Sequence, residues 1–195
     1  MKTDIKDYIK VFGNEFFSKK QCQLIINSLD ISKKTKHRFY AGAEIHVGED
    51  PYITVLKEKK IKPIGDLIKS QWYKILTEYI LNWLNKEEGM NWYKAWNGYT
   101  FPKFIEYNKG TSMKIHWDNI DGIFTNTGQA KGIPTLSIIT TLNDNYSGGE
   151  IIMCDKYEYR LKTGETIIFP SNFLYPHSIK KITKGRRYSM ISWVY

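Results

Sequence analysis

The chain has 195 residues, of which 42% are hydrophobic and 15% aromatic, so it can form one domain with a substantial core and is not a disordered chain. Its net charge of +9 comes from 25 lysines and 4 arginines against 20 acidic residues. Because the lysines are scattered over the whole chain and arginine is scarce, this charge does not favour a nucleic-acid-binding protein.

The apolar residues do not form a run of the length that a membrane span requires, which is about 20 residues. The first residues, MKTDIKDYIK, lack the apolar region of a secretory signal. We therefore expect a cytoplasmic protein without a membrane association. Cys22 and Cys154 lie far apart in the chain, and we expect two free thiols rather than a disulfide.

The first predicted elements are helices, and they make residues 1–98 a mainly helical support. Ser18 can cap a helix whose apolar positions follow the helical period, namely Cys22, Ile25, Ile26 and Leu29. A longer helix begins near Pro63, and its apolar stripe continues to Leu84. Between the helices, the stretch RFYAGAEIHVGEDPYITVLKEKK predicts a strand followed by a charged, mobile loop over residues 47–62.

From about residue 99 the pattern changes to short strand-like runs separated by turns such as NKG, NDNYSGG, KTG and TKG. The runs are TFPKFIEY, SMKIHWD, TLSIITTL, EIIMC, EYRL, ETIIF, HSIKKI and RYSMISWVY. Eight strands with this regular punctuation predict a sandwich or jelly roll over residues 99–195, with the preceding helices covering its larger sheet. The predicted fold is therefore α+β, in a single domain over residues 1–195.

One of these runs, KIHWD, carries two side chains that can bind a metal. His116 and Asp118 are two residues apart, so on a strand they point to the same face, and Trp117 points to the other. Taken alone, the pair is better explained by a half-buried strand histidine and an aspartate that begins a turn than by a metal site. The pair therefore needs support from elsewhere in the chain.

The C-terminal segment supplies that support. His177 follows Asp118 by 59 residues and begins a strand-like run, and Arg187 comes ten residues later. Arg187 shares a strand face with the alternating residues Ser189, Ile191 and Trp193, so its charge is expected inside the fold with an anionic partner. Two histidines and one carboxylate are the ligand set of non-haem Fe(II) oxygenases, and a buried arginine suits the distal carboxylate of a co-substrate.

At this point the sequence resembles a family, the 2-oxoglutarate- and Fe(II)-dependent dioxygenases, and specifically its prolyl 4-hydroxylase-like branch. Four blocks occur in the family's order: YNKGTSMKIHWD, TTLNDNYSGGEI, LKTGETIIFPSNFLYPHSI and TKGRRYSMISWV. These blocks lie within residues 99–195. The segment EFFSKKQC resembles, more weakly, the start of the N-terminal helix of this branch. The resemblance implies a double-stranded β-helix, with the metal ligands on neighbouring strands of its smaller sheet.

The resemblance also implies roles for individual residues. His116, Asp118 and His177 would bind Fe(II), and Arg187 would pair with the C5 carboxylate of 2-oxoglutarate. Tyr107 would support that carboxylate, although a core tyrosine is the alternative reading of this residue. Thr141 and Ile139 correspond to positions that line the co-substrate pocket.

Several other residues are weaker candidates for the site. Arg186 is the rival of Arg187 but falls on the opposite strand face, and Asp121 lies beyond the strand that carries His116. His37 and His46 are read as ordinary surface or core histidines. Glu150 is expected to shape a hairpin, in which Gly148 and Gly149 serve a sharp turn or bulge.

The activity implied by the resemblance is hydroxylation of a C–H bond with O₂ and 2-oxoglutarate, releasing succinate and CO₂, with ascorbate a further possible requirement. The substrate would be a peptide or protein, and the resemblance to this branch implies that it contains proline. The alternatives are another protein side chain or a free amino acid.

A nucleic-acid dealkylase is disfavoured because Trp193 stands where that family has a second arginine. A non-catalytic jelly-roll binding protein is disfavoured because no metal ligand is missing. We expect a monomer, and we expect the loops over 47–62 and 119–134 to close over the substrate.

Overall fold

The structure is a computed structural model that describes residues 4–37, 40–41, 44–45, 51–84, 98–118 and 134–195. The described residues of the first half form two α-helices, α1 (Lys19–Asn27) and α2 (Ile61–Thr77), and a π-helical segment, Glu78–Leu84, continues α2. Two short 3-10 helices are Ile5–Tyr8 and Glu58–Lys60. In the described ranges, no helix is both long and apolar enough to cross a membrane.

Fifteen strands make up most of the remaining structure. In chain order they are β1 (Lys10–Phe12), β2 (Leu29–Lys36), β3 (Tyr40–Ala41), β4 (Glu44–Ile45), β5 (Tyr52–Leu56), β6 (Lys103–Tyr107), β7 (Met113–His116), β8 (Leu136–Thr141), β9 (Ser147–Gly148), β10 (Ile151–Met153), β11 (Tyr157–Tyr159), β12 (Thr166–Pro170), β13 (His177–Ile179), β14 (Ile182–Lys184) and β15 (Arg187–Val194).

The strands form two main antiparallel sheets. The larger sheet has seven strands in the order β1-β12-β8-β15-β6-β5-β2, and the smaller has four in the order β11-β10-β13-β7. Two further pairs, β14-β9 and β3-β4, are also antiparallel. The fold is therefore mostly antiparallel β-sheet with few helices.

The eight runs predicted as strands all contain strands, although HSIKKI is divided between β13 and β14. The predicted charged loop over 47–62 is wrong for its described part, because β5, a 3-10 helix and the start of α2 occupy it. β5 buries Thr54 and Leu56 on one face, and this short period-2 pattern is obscured by the charged residues that follow it. The predicted lid over 119–134 lies outside the described residues except for Pro134.

The predicted helical support also contributes strands. β1, β2 and β5 all come from the first half of the chain and extend the larger sheet at both of its ends. The predicted helix start at Ser18 is confirmed, because its hydroxyl accepts from the backbone N–H of Gln21 and the Gln21 side chain accepts from the backbone N–H of Ser18. Pro63 lies in the first turn of α2, as its position predicted.

The larger sheet separates two hydrophobic cores. On its outer face, side chains of α1 and α2 such as Ile25 and Ile68 pack against Ile138 and Met190. On its inner face, alternate residues of the same strands pack against the smaller sheet, and this second core includes Ile105, Ile139, Ile191, Met113, Ile151 and Ile179. The inner face therefore supplies the walls of any site between the sheets.

Trp72 packs α2 against the larger sheet and hydrogen-bonds to it. Its side chain is fully buried, and its indole N–H donates to the hydroxyl of Thr140 at 3.0 Å. The Thr140 hydroxyl is also 2.8 Å from that of Thr166 on the neighbouring strand. A buried polar chain of this kind is stabilising only while each member keeps its partner.

We expect Trp72→Ala to lower the free energy of unfolding by about 3–5 kcal/mol, because it creates a large cavity and removes the donor to Thr140. Urea denaturation of the two proteins measures the difference. Leu81→Ala is the control, since Leu81 is 58% exposed and its truncation should cost within about 0.5 kcal/mol. Equal losses in the two variants would contradict this account of helix docking.

Candidate metal and co-substrate site

Strand pairing brings the two candidate histidines together. His116 ends β7 and His177 begins β13, and the two residues are direct partners in the antiparallel ladder. Their ring centroids are 4.3 Å apart, and the ring of Phe169 packs edge-on against His177 at 4.8 Å. Residues that are distant in sequence thus share one edge of the smaller sheet.

Asp118 lies two residues beyond the end of β7, so a bend rather than the strand orients it. Its backbone N–H donates to the carbonyl of Ser171 at 3.2 Å. Oδ1 lies 3.6 Å from Nε2 of His116, and Oδ2 lies 3.7 Å from Nε2 of His177. As predicted, Trp117 points away, with 47% of its surface exposed.

The three side chains form a possible metal site. Their candidate ligand atoms all lie within 4.8 Å of one another. The two nitrogen–oxygen distances are too long for good hydrogen bonds and leave a gap between the donor atoms. Asp118 and His177 are buried and His116 is half-buried, so the cluster is largely shielded from water.

Backbone carbonyls fix both imidazoles in one tautomer. Nδ1 of His116 lies 2.8 Å from the carbonyl oxygen of Lys114, and Nδ1 of His177 lies 3.2 Å from that of Tyr175. A carbonyl oxygen can only accept, so each Nδ1 carries the proton and donates it. Nε2 of each ring is therefore left with its lone pair directed toward Asp118, as a metal ligand requires.

The carboxylate of Asp118 is held in its ionised form. Burial raises its pKa, but the neighbouring imidazoles of His177 and His116 and hydrogen bonds from Ser137 and Trp193 together bring the pKa below the usual value. The bond from Ser137 is short, with Oγ donating to Oδ2 at 2.6 Å. Burial lowers the pKa of His177 to about 4, against the opposing effect of Asp118. A neutral His177 beside an ionised carboxylate is the protonation state that binds metal.

A β-bulge in β7 helps to shape the space beside the histidines. His177 pairs with His116 and Ile179 pairs with Met113, so β7 has one residue more than β13 over this stretch. The extra residue turns both Met113 and His116 toward the interior, where they line the same cavity.

Arg187 lines the same cavity from the larger sheet. It begins β15, is only 1% exposed and pairs with Tyr107 of β6, over whose ring its guanidinium lies at 4.9 Å. Nη1 is 3.4 Å from the hydroxyl of Ser189, while the buried Nε has no hydrogen-bond partner. Among the described residues, no carboxylate forms an ion pair with Arg187. Because a buried charge without a partner is energetically costly, we expect an anion to bind at Arg187.

Arg186, the rival candidate, points to the other face of the sheet. Its side chain is 53% exposed, and Nε lies 3.2 Å from Oε1 of the buried Glu106. Lys34 of β2 forms a second ion pair with the same carboxylate. The alternation of β15 therefore separates a surface ion-pair cluster from the interior arginine.

Tyr107, Ile139 and Thr141 all lie on the inner face. Tyr107 and Ile139 line the cavity with Arg187, and burial raises the pKa of Tyr107 to about 12. Thr141 pairs with Ser189 of β15, and its buried hydroxyl oxygen has no hydrogen-bond partner. Unpaired polar atoms of Arg187 and Thr141 thus occur at the same end of the inner face.

The cavity itself is narrow. It runs between the two histidines and Arg187, and its volume is about 20 Å³, which is room for about one water molecule. A larger ligand must therefore move side chains apart, and Met113 is the flexible member of the lining. The other lining residues are Ile105, Tyr107, Ile139, Ile179, Ser189 and Ile191.

The minor candidates have more ordinary surroundings. Asp121 and His46 lie outside the described residues, and Glu150 forms an ion pair with Arg160 at 3.0 Å. Gly148 and Gly149 both have positive φ, as a sharp turn requires. A Cβ on Gly149 would lie 3.2 Å from the Arg187 side chain, so this glycine also makes room for the arginine. Both cysteines are free, as predicted.

Three residues near the site escaped the sequence analysis: Ser137, Met113 and Lys103. Ser137 alternates with Ile139 and Thr141 along β8, so the period-2 pattern could have identified it. Lys103 alternates with Ile105 and Tyr107 in the same way. Met113 depends on the bulge, which no sequence signal marks. His37 is half-buried and is not a member of the described metal cluster, and burial, Lys103 and His116 lower its pKa to about 4.

The geometry agrees with a comparison to known families. Residues 102–195 match the family model of the 2OG-Fe(II) oxygenase superfamily. This match confirms the resemblance to 2-oxoglutarate- and Fe(II)-dependent dioxygenases that the sequence blocks indicated.

Individual relatives support the same conclusion. A PKHD-type hydroxylase of Prochlorococcus marinus (strain MIT 9312) is 33% identical over 102 residues, which are 49% of this chain and 44% of the relative. The chain thus spans less than half the length of the curated relatives it matches.

Two solved structures share the fold at low sequence identity. The viral collagen prolyl hydroxylase of Paramecium bursaria Chlorella virus-1 in complex with 2OG has a TM-score of 0.63 at 16% identity, covering 96% of this chain and 94% of that one. A prolyl hydroxylase from Trichoplax adhaerens, in complex with a hypoxia inducible factor peptide fragment, has a TM-score of 0.62 at 14% identity, covering 97% and 84%.

The metal-free protein should lose stability as the pH falls. The pKa of His177 is about 4 in the folded chain and 6.5 in the unfolded chain, so the unfolded state binds more protons between these values. The free energy of unfolding should therefore drop by about 1–2 kcal/mol between pH 7 and pH 5.

Urea denaturation of metal-free protein at the two pH values measures this loss. His177→Gln cannot take up the proton, so its pH dependence should be smaller by that amount. An identical pH dependence in the wild type and in His177→Gln would contradict a buried neutral His177.

Proposed function

We propose that this protein is an Fe(II)- and 2-oxoglutarate-dependent dioxygenase that hydroxylates a C–H bond, with peptidyl proline as the preferred substrate class. The observation that carries the proposal is the pairing of two features in one cavity. The two histidines of a His-Asp-His cluster line this cavity, and so does a buried guanidinium that has no ion-pair partner in the described chain.

The donor set fits Fe(II). His116, Asp118 and His177 would hold the ion through two imidazole nitrogens and one carboxylate oxygen, and three protein ligands leave coordination positions open for other groups. The hydrogen bonds of the Nδ1 atoms and of Ser137 would keep these ligands oriented and ionised appropriately.

The part of the cavity beside Arg187 fits the distal carboxylate of 2-oxoglutarate. Arg187 offers a fixed fork of N–H donors, and a carboxylate there would satisfy the unpaired Nε. Thr141 offers a hydroxyl, and Tyr107 stacks under the guanidinium and limits its movement. Arg187 would thus bind and orient the co-substrate.

When iron and 2-oxoglutarate are bound, they supply oxidation of a C–H bond by O₂, with release of succinate and CO₂. The chain's own contribution is positioning and exclusion of water. Ile105, Ile139 and Ile191 form apolar walls between the metal cluster and Arg187. These walls would keep the reacting groups dry and their charged contacts strong.

We also propose that the two main sheets form the double-stranded β-helix of this superfamily. The direct pairing of β7 with β13 in the smaller sheet agrees with ligands on neighbouring strands. The two sheets face each other across one hydrophobic core, as a jelly roll requires.

A peptide substrate is supported by the surface around the metal cluster. Large apolar side chains on β7 and on the loop before β13 are exposed: Ile115, Trp117, Phe173 and Leu174. The Asp118–Ser171 hydrogen bond joins these two segments, so the exposed groups border the cluster. Tyr175, on the same loop before β13, is instead buried.

Anaerobic titration with Fe(II) and then 2-oxoglutarate should produce a visible charge-transfer band from the iron–co-substrate chelate. His177→Ala removes one of three ligands and should abolish the band. The absence of a band in the wild type would contradict the proposal. Succinate formation with a library of Pro-containing peptides, followed by mass spectrometry for a mass gain of one oxygen, then tests the substrate class.

The two neighbouring arginines provide a matched comparison. Arg187→Met should weaken 2-oxoglutarate binding by about tenfold to a hundredfold, since it removes a charged hydrogen-bond donor from a buried site. Arg186→Met removes the same charge from the outer face and should leave the affinity unchanged. Equal effects of the two substitutions on the titration midpoint would show that the co-substrate carboxylate does not bind Arg187.

A further inference from the structure

Lys103 occupies the inner face of the larger sheet at the end opposite to Arg187. It begins β6, and alternation puts Lys103, Ile105 and Tyr107 on the same face. Tyr107 pairs with Arg187, whereas Lys103 pairs with Ile191. Lys103 and Tyr107 are four residues apart, about 13 Å along the strand. The inner face therefore carries one cation at each end.

Two side chains, those of Trp193 and Ser137, connect Lys103 to the metal cluster. The ammonium of Lys103 lies 4.6 Å from the ring centroid of Trp193, which pairs with Ser137 of β8. Ser137 in turn donates to Asp118. The charge of Asp118 acts on Lys103 and raises its pKa, although burial has the larger effect and lowers it. Lys103 thus borders the metal cluster on the side away from Arg187.

The ammonium of Lys103 has no acidic partner. No carboxylate in the described part of the chain forms an ion pair with Lys103, and the indole of Trp193 supplies only a cation–π contact. The indole N–H of Trp193 acts on Asp118, and it helps to lower the pKa of that carboxyl group. The other ionisable groups that face Lys103 are Asp118 and His37, whose pKa Lys103 helps to lower.

With iron and 2-oxoglutarate bound, the charges of the site would balance without Lys103. The two positive charges of Fe(II) and that of Arg187 offset the carboxylate of Asp118 and the two carboxylates of 2-oxoglutarate. The charge of the Lys103 ammonium is therefore not offset by any of these groups, and the side chain is half-buried against an aromatic ring. A cation in this setting is stabilised when an anion joins it.

We propose that Lys103 binds a carboxylate of the hydroxylated substrate. The inference rests on the proposed function and narrows its substrate class to molecules with a carboxylate close to the reacting carbon. Such a carboxylate belongs either to an acidic residue next to the target residue in a peptide or to a free amino acid. Both sources present the same group to Lys103.

The test uses matched pairs of probes that differ only in this charge. The peptide pairs carry Glu or Gln beside a proline, and the free pair is L-proline and L-prolinamide. Tryptophan fluorescence under anaerobic conditions, with Fe(II) and 2-oxoglutarate bound, gives the dissociation constant of each probe. The proteins are the wild type, Lys103→Met, Lys103→Glu and, as a control, Lys184→Met, which removes an exposed lysine of β14. Thermal unfolding by circular dichroism checks that each variant is folded.

The wild type and Lys184→Met should bind the acid member of at least one pair about tenfold or more tightly than its amide. Lys103→Met should abolish this preference, and Lys103→Glu should reverse it. The pair that shows the preference identifies a peptide or a free amino acid as the source. No acid preference in the wild type, or the same preference in Lys103→Met, would overturn the role of Lys103.

Substrate-free conversion of 2-oxoglutarate to succinate separates this inference from the proposed function. Both the wild type and Lys103→Met should form succinate without substrate, because the variant keeps His116, Asp118, His177 and Arg187, the residues proposed to hold iron and 2-oxoglutarate. Succinate formation without any acid preference overturns the role of Lys103 alone. An acid preference that depends on Lys103, without any succinate formation, supports the binding role and overturns the proposed activity.

Discussion

The site depends on one strand pairing, that of β7 with β13, which makes His116 and His177 direct partners. The pairing fixes two of the three candidate ligands to hydrogen-bonded backbone, and the Nδ1 contacts with the same strands then fix the rings. Asp118 is added by a bend that the Ser171 carbonyl holds. A metal cluster built in this way is pre-organised, because its geometry belongs to the sheet and not to mobile side chains.

The inner face of the larger sheet supplies the second half of the site. Along its strands, alternate side chains pack into two hydrophobic cores, one against the helices and the other against the smaller sheet. Polar residues on the inner face are few, and they are confined to its ends, where Arg187 and Lys103 lie. The apolar middle makes each buried charge costly, so an anion that meets either cation is bound strongly and in a defined direction.

Much of this could be predicted from the sequence. The ligand spacing and the alternation of β15 pointed to His116, Asp118, His177 and Arg187, and the structure brings all four to one cavity or its edge. The first half was predicted less well, because short strands such as β1 and β2 complete a sheet whose other members lie far away in the chain. The bulge at Met113 escaped prediction for a similar reason, since only pairing with β13 defines it.

Crystallography of the protein with Mn(II) and 2-oxoglutarate tests the central claim most directly. The account predicts one anomalous peak bound by Nε2 of His116, Nε2 of His177 and a carboxylate oxygen of Asp118, with the distal carboxylate of 2-oxoglutarate on the guanidinium of Arg187. A metal bound elsewhere, or a co-substrate whose distal carboxylate makes no contact with Arg187, would contradict it.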